Sequence, residues 1–385
     1  MIDAHCHSLT RDWTHVDAPA GPSWRRCFTE GDDPRVLAEV PALLGYRRFL
    51  AALADRLDAP RDEAALVSAR DALARADPAG YLRRLLTDAG VERLLVDTGF
   101  DGPAALPLPD LARLAGLPVD EIVRIESVAE AVLRDGVDAA RFADAVEERL
   151  EAAVAGGAVG FKSVAAYRVG LSLPAPSPGE ARRAIDRLDR AAHGRRLADP
   201  VVVALVVWRA VAVAARHRLP LQFHTGFGDP DVTLPTADPA LLTPLLRDRR
   251  AEGCPVVLLH CYPYVREAAY LAATYPDTYL DLSLTLPLAA PGAARLVAEA
   301  LAMCPATRLI AASDGHSYPE MHWWGAVVWR RALSDALDRE VAADGLDPAA
   351  AVAVAPEVAA DVLGGNARRL HRLERSPAER GTLDA

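Results

Sequence analysis

Six side chains combine metal-binding donor types with positions at the ends of apolar runs: His5 and His7 in IDAHCH, Lys162 in GFKS, His224 in LQFH, His260 in VVLLH and Asp314 in AASDG. In an extended strand residues i and i+2 point to the same side, so His5 and His7 present two imidazoles together. Imidazole with carboxylate favours zinc or a similar divalent metal, with Mn2+ or Fe2+ as alternatives. Singly, each residue has an ordinary reading: a strand-end histidine is usually a satisfied polar group, and Asp before Gly usually marks a turn. Four histidines and an aspartate, each closing its own apolar run, point jointly to a metal centre. Of the other histidines, His15, His193, His217, His322 and His371 read as structural or surface residues, and only His316, two positions after Asp314, is kept as a candidate.

Lys162 is the sole lysine, since 42 of the 43 Lys+Arg residues are arginine. A composition that uses arginine wherever a positive charge suffices implies that position 162 needs what a guanidinium lacks, an amine able to lose its proton near neutral pH. Such an amine can form a Schiff base or take up carbon dioxide as a carbamate, an anionic ligand able to bridge two metals. Beside four histidines and an aspartate the carbamate fits better than a plain amine.

These residues need a scaffold that brings strand ends together. Eight apolar or β-branched runs read as strands: 1–7, 93–99, 121–127, 158–164, 220–226, 255–261, 278–284 and 308–315. Helical Ala/Leu/Arg stretches separate them, which implies a parallel sheet closed into a (β/α)8 TIM barrel, with active-site residues at the C-terminal strand ends. An open doubly wound sheet is the alternative, but no Gly-rich phosphate turn follows any strand. The chain reads as a single barrel domain over 1–372. It carries a helical insertion at 10–80 expected to act as a lid, a Pro/Arg-rich insertion at 171–200 after strand four, and a polar tail at 373–385.

Composition narrows the function classes. Hydrophobic residues make up 51% and charged residues 25%, the profile of a globular protein, and the net charge of −10 argues against a nucleic-acid partner. Five cysteines, odd in number and without paired spacing, suggest no disulfide framework and a reducing compartment. Residues 1–9 carry no signal pattern, so a cytoplasmic protein is expected. The run at 201–215, interrupted by Arg209, reads as a buried helix rather than a membrane span. The expected partner is a small-molecule substrate, with no membrane contact, and a homo-oligomer, a dimer, is anticipated.

The pattern resembles the amidohydrolase superfamily. GFKSVAAYRVGL, LQFHTGFGDPDV, VVLLHCYPYVREAAYLAATYPDTYLDLSL and SDGHSYPE are similar to the amidohydrolase-like region of FluG-type proteins and of nodulin/glutamine-synthetase-like fusions, and GGNARRLHRL resembles the superfamily's C-terminal motif. The resemblance implies a metal-bearing barrel in which His5, His7 and Asp314 hold one metal, His224 and His260 a second, and carboxylated Lys162 lies between them. It further implies hydrolysis of a C–N bond by a shared hydroxide, with Asp314 and His260 catalytic and Asp314 passing a proton to the leaving amine. Arg168 is a candidate clamp for a substrate carboxylate, an ion pair with a neighbouring aspartate being its other reading. Tyr167, Gln222, His316, Glu320 and Trp323 are near enough in sequence to line the mouth, and Trp24 and Arg25 to close over it. Two other functions stay open: a single-metal decarboxylase or uronate-isomerase-like enzyme on the same barrel, and a non-catalytic assembly module.

Overall fold

In the computed structural model, residues 1–16, 23–100, 104–188, 196–343 and 348–373 are described. His193 and most of the expected C-terminal tail fall outside them. Eight parallel strands follow chain order in one sheet: β1 Ile2–Cys6, β2 Arg93–Asp97, β3 Val119–Arg124, β4 Gly160–Ser163, β5 Leu221–His224, β6 Val256–Leu259, β7 Thr278–Asp281 and β8 Leu309–Ile310. Beyond the short β8, the chain closes the ring by backbone hydrogen bonds. Ala4 N donates to Ala311 O, Asp314 N to His5 O, and His7 N to Gly315 O. The expected (β/α)8 barrel is the fold.

Side-chain alternation explains which residues face inward. Ile2, Ala4, Leu95, Ile122, Val257, Leu259, Ile310 and Ala312 form a buried cluster inside the barrel, joined by Leu370 and Leu373 from the C-terminal segment. Phe161, Phe223 and Leu258 belong instead to the large core between strands and helices. On β4 and β5 the parity therefore assigns Lys162, Gln222 and His224 to the interior. On β1 a register irregularity between Asp3 and Cys6 resets the alternation. Ile2 and Ala4 face inward below it and His5 and His7 above it, with Cys6 turned out to the helices.

Most strands stop one to three residues short of the expected runs, and two of these differences matter for the site. The third run was expected over 121–127, but the strand ends at Arg124 and Ile125 begins the helix Ile125–Arg134. The eighth was expected over 308–315, but pairing stops at Ile310, and Asp314 sits in a left-handed conformation with φ 54°. The apolar 201–215 run is the helix Pro200–His217, N-capped by Asp199 and with nine buried residues. Its length and composition would suffice to cross a membrane.

The stretch after β1 folds into helices Leu44–Leu57, Glu63–Ala76 and Pro78–Asp88. They are pinned to the helix Pro319–Ala343 by a wholly buried pair, Arg70 Nε to Glu320 Oε1 at 2.6 Å. Tyr81 also donates to Glu320, and Arg70 Nη2 donates to the Trp13 carbonyl.

Candidate metal centre

Each inward histidine is held from behind, and the identity of its partner fixes which nitrogen is bare. Gln222 Nε2 donates to the Ala4 carbonyl at 2.9 Å, so its Oε1 must accept from His5 Nδ1, also at 2.9 Å. His7 Nδ1 donates to the Asp97 carbonyl at 3.2 Å, and His260 Nδ1 to the Ser283 carbonyl at 3.2 Å. His224 is reversed, its Nε2 donating to Phe227 O at 3.0 Å. The lone pairs left over are Nε2 of His5, His7 and His260 and Nδ1 of His224.

Asp314 Oδ1 lies 3.2 Å from His5 Nε2 and 3.4 Å from His7 Nε2, and this buried oxygen accepts no hydrogen bond from any described residue. Ligand atoms of His5, His260 and Asp314 all fall within 4.8 Å of one another. Three acceptors meeting without a hydrogen between them repel unless a cation joins them, and an N/N/O donor set suits a divalent metal. The metal-free electrostatics express the same demand. Burial alone would lower the His7 pKa, but the carboxylate of Asp314 close by, with the charge of Asp97, raises it. Burial pushes the His5 pKa down to about 4, helped by the charge of Lys162. The Asp314 carboxyl is held well below the usual range despite burial, by His260, His5 and His7.

Lys162 is 2% exposed, with Nζ 3.4 Å from His5 Nε2. Burial lowers its pKa to about 8 against the opposing pull of Asp97 and Asp314. The His224 and His260 rings lie 4.5 Å apart, and His260 is 5.7 Å from His5. Behind His260, Ser283 Oγ donates to Asp281 Oδ1 at 2.8 Å and lies 2.9 Å from His260 Nδ1. The structure thus brings His5, His7, Lys162, His224, His260 and Asp314 to the floor of one cavity of about 520 Å³.

The substrate-facing candidates divide. Tyr167, Arg168 and His316 line the cavity, the Tyr167 ring 4.3 Å from that of His224. Arg168 pairs with Glu130 at 3.3 Å, not with an aspartate. Gln222 lies beneath the metal ligands and orients His5. Glu320 is consumed by Arg70 and Tyr81, and Trp323 faces away, its indole donating to Asp88 at 2.8 Å. Trp24 is buried against Phe49, and Arg25 pairs with Glu63. The first insertion does reach the cavity, through Arg26, Thr29 and Glu30. Asp97, Phe100 and Arg124 had not been anticipated. Asp97 accepts both Arg124 Nε and Nη2, and Phe100 stacks on His7 at 4.4 Å. Asp97 ends β2 as the metal candidates end theirs, so the same strand-end signal marked it.

The profile of the family described as Amidohydrolase matches residues 2–373. The chain is 30% identical to Protein fluG of Emericella nidulans over 98% of its own length, and it spans 46% of that protein, about half its length. A crystal structure described as a candidate metal-dependent hydrolase from Lactobacillus casei superposes with a TM-score of 0.85 at 31% identity, covering 97% of this chain and 95% of that one. Uronate isomerase from Thermotoga maritima shares the fold at a TM-score of 0.65 and 14% identity, covering 96% of this chain and 94% of that one.

Proposed function

Since the chain belongs to the amidohydrolase family, whose profile spans residues 2–373, we propose that it is a metal-dependent hydrolase cleaving a C–N bond in a small carboxylate-bearing molecule. The observation that carries this reading is the meeting of His5 Nε2, His7 Nε2 and the unbonded Asp314 Oδ1 on the cavity floor. Zinc is the preferred metal, with His5, His7 and Asp314 holding one ion, His224 and His260 a second, and carboxylated Lys162 between them. Divalent metal there would polarise a carbonyl and lower the pKa of water.

The chain's own residues supply the proton handling. The Asp314 carboxylate would take a proton from the attacking water and return it to the leaving amine. His260 is braced for its place by Ser283 and Asp281. Phe100 over His7 and Tyr167 over His224 restrict water above the ligands.

The likeness to uronate isomerases carries the fold alone, and a single-metal isomerase or decarboxylase has no use for a bridging carbamate at Lys162. The test is a product assay of zinc- or manganese-loaded protein on N-acyl amino acids and amino-acid amides. We expect stoichiometric release of amine or ammonia with carboxylate, and a loss of about a hundredfold or more in Asp314→Asn. Carbon dioxide release from acids, or sugar-acid isomerisation, with no amine released would overturn the reading.

A further inference from the structure

The cavity is lined by charges of both signs in a way the metal ligands do not require. Arg168 lines it, its side chain 10% exposed. Among the described residues only Nη2 has a partner, Glu130 at 3.3 Å; Nε and Nη1 are buried and reach no acceptor there. Buried donors without acceptors are costly, so a site holding them is built for something that accepts. The charges acting on Arg168 are Glu130, Glu126, Arg196 and Arg124.

Glu30, from the first insertion, also lines it, and its carboxylate accepts no hydrogen bond from any described residue. The foremost charges acting on it are Asp314, Arg26, Asp229 and Asp32. Arg26 is committed to Asp32 at 2.5 Å and to the Thr29 carbonyl at 2.6 Å. Burial, then the charge of Asp314, push the Glu30 carboxyl up to about 7, with the charge of Arg26 pulling against them.

A purely anionic substrate would satisfy Arg168 and be repelled at Glu30 and Asp229; a purely cationic one would leave Arg168 unsatisfied. We propose that the substrate is zwitterionic, an amino-acid-derived amide whose free carboxylate meets Arg168 and whose free ammonium meets Glu30. This rests on the reading of the cavity as the substrate site and deepens it by naming the substrate class.

The test is equilibrium calorimetry on the zinc-loaded protein, with a series of linear ω-amino acids and the fatty acids and alkylamines of matching length as probes. At its best length the amino acid is expected to bind about tenfold tighter than either partner compound, the worth of one charge-assisted contact. Arg168→Gln should reduce it to the alkylamine's affinity. Glu30→Gln should reduce it to the fatty acid's, leaving the fatty acid as tight as before or tighter. Each comparison is a ratio within one protein, so partial misfolding of a variant cancels. Equal binding of fatty acid and amino acid, or an unchanged ratio in Glu30→Gln, overturns the proposal. Because no turnover is measured, failure of the amine-release assay and failure here are separate results.

Discussion

Replacing Gln222 with leucine removes the acceptor that fixes the His5 tautomer and leaves the Ala4 carbonyl buried without a donor. Metal affinity should fall about 10- to 100-fold, as for other residues that orient a ligand, read by competition against a chromogenic chelator; unchanged affinity would mean that Gln222 only packs. The sequence marked this residue for substrate because it lies two positions before His224, and in the structure that spacing puts it inside the barrel. What parity does not convey is depth: on β5 the residue two steps back sits one layer lower, under the metal ligands instead of beside the substrate. Glu320 and Trp323 failed for another reason. They open the helix Pro319–Ala343, which faces the first insertion, and nearness in sequence to Asp314 said nothing of that. Lys162 was legible because arginine fills every other basic position, a signal independent of geometry.

Among the elements, the loops after β5 and β6 are locked together at Gly226, whose φ of +75° suits glycine and whose added Cβ would stand 2.2 Å from the Tyr262 carbonyl. Gly226→Ala should push these loops apart, disturb the His224 and His260 pair, and reduce bound metal in elemental analysis; normal occupancy would show that the loops give way without moving the histidines. The buried pair joining the first insertion to the C-terminal helix makes a second demand. Glu320→Ala strands Arg70 without its main counter-charge and should cost about 3–5 kcal/mol in urea unfolding. Loss below about 1 kcal/mol would mean that Asp71 and the Trp13 carbonyl suffice. Strand number, order and parallel sense followed from alternating apolar and helical stretches. The bulge on β1 and the early end of β8 did not, because both depend on contacts between residues far apart in the chain, β1 against β2 and Asp3 against Ser313.

At the scale of the molecule, the barrel collects donors from five separate strands and strand ends into one floor, so metal binding and folding are linked. A native state that binds metal at about a thousand times its dissociation constant gains roughly 4 kcal/mol over the metal-free form. Chelator-treated protein should therefore unfold several degrees lower and recover on readdition of zinc; an identical transition with and without chelator would show that the acceptor cluster on the floor is tolerated without a cation. The left-handed backbone at both His260 (φ 69°) and Asp314 (φ 54°) is the sort of local strain a fold retains where a side chain must be aimed.

The most direct test of a two-metal centre built around the sole lysine is metal content per chain, measured with and without bicarbonate, for the wild type and Lys162→Arg. We expect about two equivalents in the wild type with bicarbonate and the loss of at least one in the variant, which cannot form a carbamate. Full occupancy and activity in Lys162→Arg would contradict the bridging role and leave a single-metal barrel.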